Sequence, residues 1–153
     1  MDKVKIFLAD LTHNYKAISN PFMPYAIGLI ASYAKKLYGD AIEIKLFKYP
    51  EKLYEALENE HCDILGCGTY VWNSNLSHWA CRVAKARNPN VLTVLGGPDF
   101  AKDKGQKLDY FKKNEYIDIR VLLEGEIAFA NIIKLVLDHG KNNKDKILSN
   151  KID

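Results

Sequence analysis

The sequence predicts an α/β protein: a five-stranded parallel sheet wound on both faces by helices. Two observations carry that expectation. Five apolar segments of strand length alternate strictly with five segments of helical periodicity, which implies parallel strands joined by right-handed crossovers. The chain has 153 residues, 48% hydrophobic and 27% charged, the balance of one compact domain whose core forms without disulfides or metals.

The elements follow in order. Val4, Ile6 and Leu8 alternate with Lys5 before Phe7 and Ala9 extend the apolar run, so a buried first strand is expected up to Asp10. After a loop rich in Asn and Ser, Pro24 opens a helix whose Ile27, Ile30, Ala34 and Leu37 recur at three and four residues until Gly39 stops it. Residues 41–47 alternate Ile42, Ile44 and Leu46 with Glu43 and Lys45, a second strand. Residues 50–60 place Leu53 and Leu57 on one face of a short charged helix.

Residues 63–68, Asp63 followed by Ile64-Leu65-Gly66-Cys67-Gly68 without another charge, read as a central strand. Behind the capping cluster Asn73-Ser74-Asn75, Leu76, Trp79, Ala80 and Val83 make a helical stripe. Residues 91–95 are the fourth strand, broken by Gly96-Gly97-Pro98; a weak charged helix follows over 102–113. Residues 117–123 are the expected fifth strand, and Phe129, Ile132, Ile133 and Val136 share one side of the last helix. At this size the flavodoxin-like order 2-1-3-4-5 is expected, with ligands beyond the carboxyl ends of the strands. The domain is expected to span residues 1–139. From 140 to 153 the apolar residues are Ile147, Leu148 and Ile152 alone, without periodicity, so that stretch reads as a linker or disordered tail.

Net charge is +3, but four lysines and two aspartates lie beyond Gly140, so the body is nearly neutral. Such a body lacks the basic footprint of a nucleic-acid binder. No apolar stretch approaches the roughly 18 residues that span a bilayer. With an odd count of three cysteines and no leader segment, a cytoplasmic protein with free, buried thiols is expected. Cys62, Cys67 and Cys81 match no zinc or iron–sulfur spacing, and His61, His78 and His139 have no ligand geometry in the sequence.

The strand-end loops hold the candidate site residues. Asp10, Leu11, Thr12 and His13 follow the first strand, where His13 reads as a solvated residue ahead of a metal ligand or a base, since no second ligand type is nearby. Thr69, Tyr70 and Val71 follow the third, offering a hydroxyl and an aromatic face to a flat ligand or simply a packed strand end. Gly96, Gly97 and Pro98 form either a tight turn or a floor that lets a bulky ligand approach backbone. Glu124, Gly125 and Glu126 put carboxylates at a helix start, where the helix dipole accounts for them without acid–base chemistry. Gly66-Cys67-Gly68 is not a dinucleotide fingerprint, because it follows the third strand and Val71 stands where the third glycine belongs.

The segment Pro24-Tyr25-Ala26-Ile27-Gly28-Leu29-Ile30-Ala31, with Gly96-Gly97-Pro98 and Glu124-Gly125-Glu126 at their strand ends, resembles the N-terminal cobalamin-binding domain of cobalamin-dependent radical S-adenosylmethionine enzymes. The resemblance covers nearly everything to residue 139. It implies a corrin ring over the carboxyl edge of the sheet and a nucleotide tail reaching down near the third and fourth strands. Asp10, Leu11, Thr12, His13, Thr69, Tyr70, Val71, Gly96, Gly97, Pro98, Glu124, Gly125 and Glu126 are then the cofactor-binding residues.

Two departures qualify the resemblance. Where a protein histidine replaces the lower axial base, such domains show Asp-x-His-x-x-Gly; here Thr12 and Tyr15 occupy the histidine and glycine places, and His13 is out of register. A cobalamin without a histidine beneath the cobalt, or a domain that has lost the cofactor, is expected. The Cys-x-x-x-Cys-x-x-Cys run that holds an iron–sulfur cluster and S-adenosylmethionine is absent, so those cofactors are expected in a catalytic domain of the same parent chain. The expected function is therefore a cobalamin-binding module of a radical methyltransferase or related oxidoreductase, without catalysis of its own. The alternative is a cofactor-free interaction or regulatory domain. A phosphoacceptor receiver, a flavodoxin and an enzyme using Glu124 and Glu126 are all disfavoured, for want of the acidic cluster, the phosphate loop and a chemical partner respectively.

Overall fold

The computed structural model describes residues 2–14, 23–99 and 104–150. Its elements are β1 (Val4–Ala9), α1 (Tyr25–Tyr38), β2 (Ile42–Phe47), α2 (Pro50–Asn59), β3 (Ile64–Gly68), α3 (Ser74–Arg87), β4 (Leu92–Gly96), α4 (Lys104–Lys113), β5 (Ile119–Arg120), α5 (Gly125–His139) and α6 (Lys144–Leu148). A 3-10 turn at Gly39–Ala41 joins α1 to β2. All strand pairs are parallel, in the order β2-β1-β3-β4-β5, the flavodoxin-like arrangement the sequence predicts.

Alternation within the central strands splits the interior into two cores. Phe7, Ala9 and Leu11 face α2 and α3 together with Leu65, Cys67 and Leu95. Val4, Ile6 and Leu8 face the other way, meeting Ile27 of α1, Phe129 and Ile133 of α5, and Ile147 of α6. All three cysteines are free and buried, as expected, and burial pushes the Cys62 thiol up to about 12, so it stays an inert core group. No described helix is long and apolar enough to cross a membrane.

Two elements differ from the sequence reading. The fifth strand, expected over 117–123, pairs through only Ile119 and Arg120. Asp118 is the reason on its amino side. Its N–H still donates to the Thr93 carbonyl (3.2 Å), but its carboxylate accepts the Thr93 N–H (2.9 Å) and hydroxyl (3.0 Å) and meets Lys85 and Lys144, each at 2.5 Å, so a side chain takes the β4 donor that a strand carbonyl would accept. On the carboxyl side Val121 still donates to the Leu95 carbonyl (2.8 Å), but Leu123 adopts φ of 63° and turns the chain away.

The second difference lies in the stretch read as a linker or tail. Lys144–Leu148 form α6, whose Ile147 is buried against the α1/α5 core. Lys141 reaches the buried carboxylate of Asp63 at 3.1 Å, and Lys144 pairs with Asp118, so two lysines fasten the segment to the amino edge of the sheet. Its sparse apolar content hid this, because one isoleucine and two long-range ion pairs leave no periodicity. Lys102 of the expected fourth helix, and Ile152, lie outside the described residues.

Candidate functional site

Strands β3 and β4 end in glycine, and their register sets Gly68 beside Gly96. With no side chains there, the amino-terminal turns of α1 and α5 stand clear of the sheet and a cavity of about 460 Å³ opens between them. Its walls are apolar: Leu8, Ile27, Ile30, Val94, Val121 and Phe129. At the bottom, a Cβ on Gly66 would lie 2.7 Å from Leu8 Cδ2 and 3.0 Å from the Phe129 ring, so the cavity ends where those side chains meet. A Cβ on Gly96 would meet only Val121, at 4.0 Å, so the space above Gly96 is open.

Gly97 serves the backbone. Its φ is 107°, and a Cβ there would fall 2.3 Å from the Thr69 carbonyl oxygen. The turn is gripped from two sides. The Thr69 N–H and hydroxyl both donate to the Gly96 carbonyl (2.7 Å each), and Arg120 Nη2 donates to the carbonyls of Gly97 (3.1 Å) and Asp99 (2.7 Å). Thr69, expected to face a ligand, is fully buried with its hydroxyl committed to this turn.

Asn73 ties the loops after β1 and β3 together. Expected as a helix cap, it makes no side-chain capping bond. Its Nδ2 donates to Asp10 Oδ1 (3.2 Å) and the Leu11 carbonyl (3.0 Å), while its Oδ1 accepts the Tyr70 N–H (2.8 Å). Leu11 is buried behind it. Burial raises the pKa of Asp10, and the Asn73 bond opposes that rise. Asp10 and Thr12 border a second hollow of about 430 Å³ with Lys48, Tyr70 and Trp72; Tyr25, Ala26 and Tyr70 line both hollows.

Exposed apolar groups line the main cavity, Tyr25 and Leu29 on α1 and Leu123 just before α5, and Trp72 after β3 lines the second hollow. Tyr70 and Trp72 stack with ring centroids 4.7 Å apart, and Trp72 keeps 67% of its surface exposed. Of the residues the sequence singled out, Tyr70, Gly96, Gly97, Pro98, Gly125 and Glu126 line the main cavity, and Asp10, Leu11 and Thr12 the second hollow. His13 is exposed outside both, its Nε2 3.2 Å from the Trp72 carbonyl; Val71 and Glu124 also lie outside. Glu124 and Glu126 therefore do not face one space as a pair.

Sequence reasoning missed Leu8, Gly66, Gly68, Leu123 and Phe129 as lining residues. Only the glycines had a signal, since Gly66 and Gly68 share one face of a strand adjacent to the Gly96-Gly97 strand. Elsewhere, His78 lies between the hydroxyls of Tyr116 (2.9 Å) and Tyr110 (3.0 Å), and burial lowers its pKa. Among the described residues no group of three His, Cys, Asp or Glu is placed to hold a metal ion.

No protein-family model matches the chain. It is 30% identical over 127 residues to the cobalamin-dependent radical SAM methyltransferase TokK of Streptomyces tokunonensis, covering 78% of this chain and 18% of that protein. It is 32% identical over 125 residues to the 2-(S-pantetheinyl)-carbapenam-3-carboxylate methyltransferase of Streptantibioticus cattleyicolor, with the same two shares. The chain thus spans less than a fifth of the length of these relatives. The similar stretch is far longer than the three short motifs at the strand ends, and by it the chain is a homologue of cobalamin-dependent radical SAM methyltransferases, related to them over that segment.

Proposed function

We propose that this chain is a cobalamin-binding module, holding the corrin over the carboxyl ends of β3 and β4 with its nucleotide tail in the cavity between α1 and α5. The observation that carries the reading is the open space above Gly96, which lines an apolar cavity of about 460 Å³. That is within the usual size of a small-molecule site, roughly 300–1,000 Å³. The residues fit the group: Gly96 lets the ring approach backbone, Leu8, Val94 and Phe129 enclose the tail, and Tyr70, Trp72 and Tyr25 offer aromatic faces at the rim. Asp10 and Thr12 border the second hollow, where amide groups on a corrin edge would find polar partners.

When bound, cobalamin supplies a cobalt centre that can carry a methyl group; this chain's residues bind it, orient it and exclude water from its tail. In a parent protein of the relatives' length, the iron–sulfur cluster and S-adenosylmethionine belong to a separate catalytic domain, which would be this module's partner. His13 lies outside both hollows, in keeping with a cobalt that has no protein histidine below it.

The test is retention of hydroxocobalamin. Purified protein mixed with it stays red after desalting, and Gly96→Leu, which fills the space without a backbone clash, loses the colour while keeping its fold by circular dichroism. A wild-type protein that comes through colourless overturns the reading in favour of a cofactor-free interaction domain on the same rim.

A further inference from the structure

Leu123 is at odds with its own conformation. Its φ of 63° lies in the left-handed region that a leucine enters only under strain, and its side chain is 96% exposed, so no packing in the protein repays that strain. A glycine or asparagine would hold the same turn more comfortably, and an exposed leucine gains nothing from water. Yet the residue lines the main cavity, together with the exposed Tyr25 and Leu29 of α1. An unfavourable backbone that delivers an unfavourably exposed apolar group to the lip of an apolar cavity is the pattern of a contact completed only by a guest.

We infer that Leu123 is a ligand-contacting residue, an apolar clamp that closes on the bound cobalamin and is stabilised only in the loaded protein. The inference rests on the cobalamin-binding reading and adds a residue to it. Strand β5 ends after Arg120, which leaves Val121 and Leu122 as a short arm; the Val121 N–H is anchored to the Leu95 carbonyl, so Leu123 is the first side chain beyond that anchor free to lie over the opening. Leu122 is also exposed but does not line the cavity, so apolar character at this turn is not by itself the cause.

The experiment compares wild type with Leu123→Gly, Leu123→Asn and Leu123→Met, measuring hydroxocobalamin affinity by absorbance titration and the melting temperature of the unliganded protein. Gly and Asn are expected to melt no lower than wild type, because strain is relieved, while binding at least about tenfold more weakly for want of the apolar contact. Met, which keeps the apolar bulk, is expected to retain wild-type affinity. A merely structural role would move both measurements in the same direction, so opposite signs identify the clamp. Gly and Asn variants that bind as tightly as wild type overturn the inference while leaving the module reading intact. A wild type that does not bind removes both.

Discussion

Gly96 and Gly97 are neighbours with opposite tasks. Gly96 faces open space, so a side chain there costs the fold little and the guest much. Gly97 faces the Thr69 carbonyl in a conformation that disfavours any side chain, so Gly97→Ala is expected to destabilise the protein by about 1–3 kcal/mol, read in a urea melt, whether or not cobalamin is present. The sequence placed Gly96-Gly97-Pro98 at a strand end and offered a tight turn or a ligand floor; Gly97 makes the turn, and the floor is part of the proposed function. Thr69 and Asn73 were harder to read. Each looks like a polar loop residue, and each becomes a fully buried brace only because strands far apart in sequence bring its partners within reach. Leu123 had no signal, since a positive φ on leucine leaves no trace in composition or periodicity.

At the scale of elements, hydrophobic period located nearly all the strands and helices because each buries a continuous stripe against one of two cores. It failed where side-chain bonds or single anchors decide the structure. Asp118 interrupts the edge strand with its own hydrogen bonds to Thr93. Helix α6 is held by Ile147, with 1% of its surface exposed, and by Lys141 and Lys144 on Asp63 and Asp118. Ile147→Ala is accordingly expected to cost about 2–4 kcal/mol in denaturant unfolding, far more than a solvated linker residue would. Lys85 shares Asp118 with Lys144, and burial pushes its pKa down to about 8, so this edge is crowded with positive charge around one carboxylate.

For the whole molecule, the sheet separates its chemistry by edge. Buried carboxylates and lysines gather at the amino ends of the strands, while glycines and exposed aromatic and aliphatic groups gather at the carboxyl ends. Parallel pairing followed from strict alternation and the handedness of crossovers, and the strand order from the size of a five-unit chain. The depth of the cavity did not, because it depends on how far α1 and α5 stand from the sheet. A guest that binds only the folded state stabilises it by mass action. Hydroxocobalamin at about a hundred times its dissociation constant is expected to add about 2.7 kcal/mol and to raise the melting temperature by several degrees. An unchanged melting temperature under saturating cofactor would contradict that linkage.

Leu8 and Phe129 both crowd against Gly66, where the cavity lining leaves no room for a side chain. The exposed part of the cavity's lining is Tyr25, Leu29 and Leu123, so a molecule seated inside would pass those side chains on leaving. Any body parked across the rim would then govern departure as well as arrival, turning a reversible seat into a long-lived one without a single added contact inside.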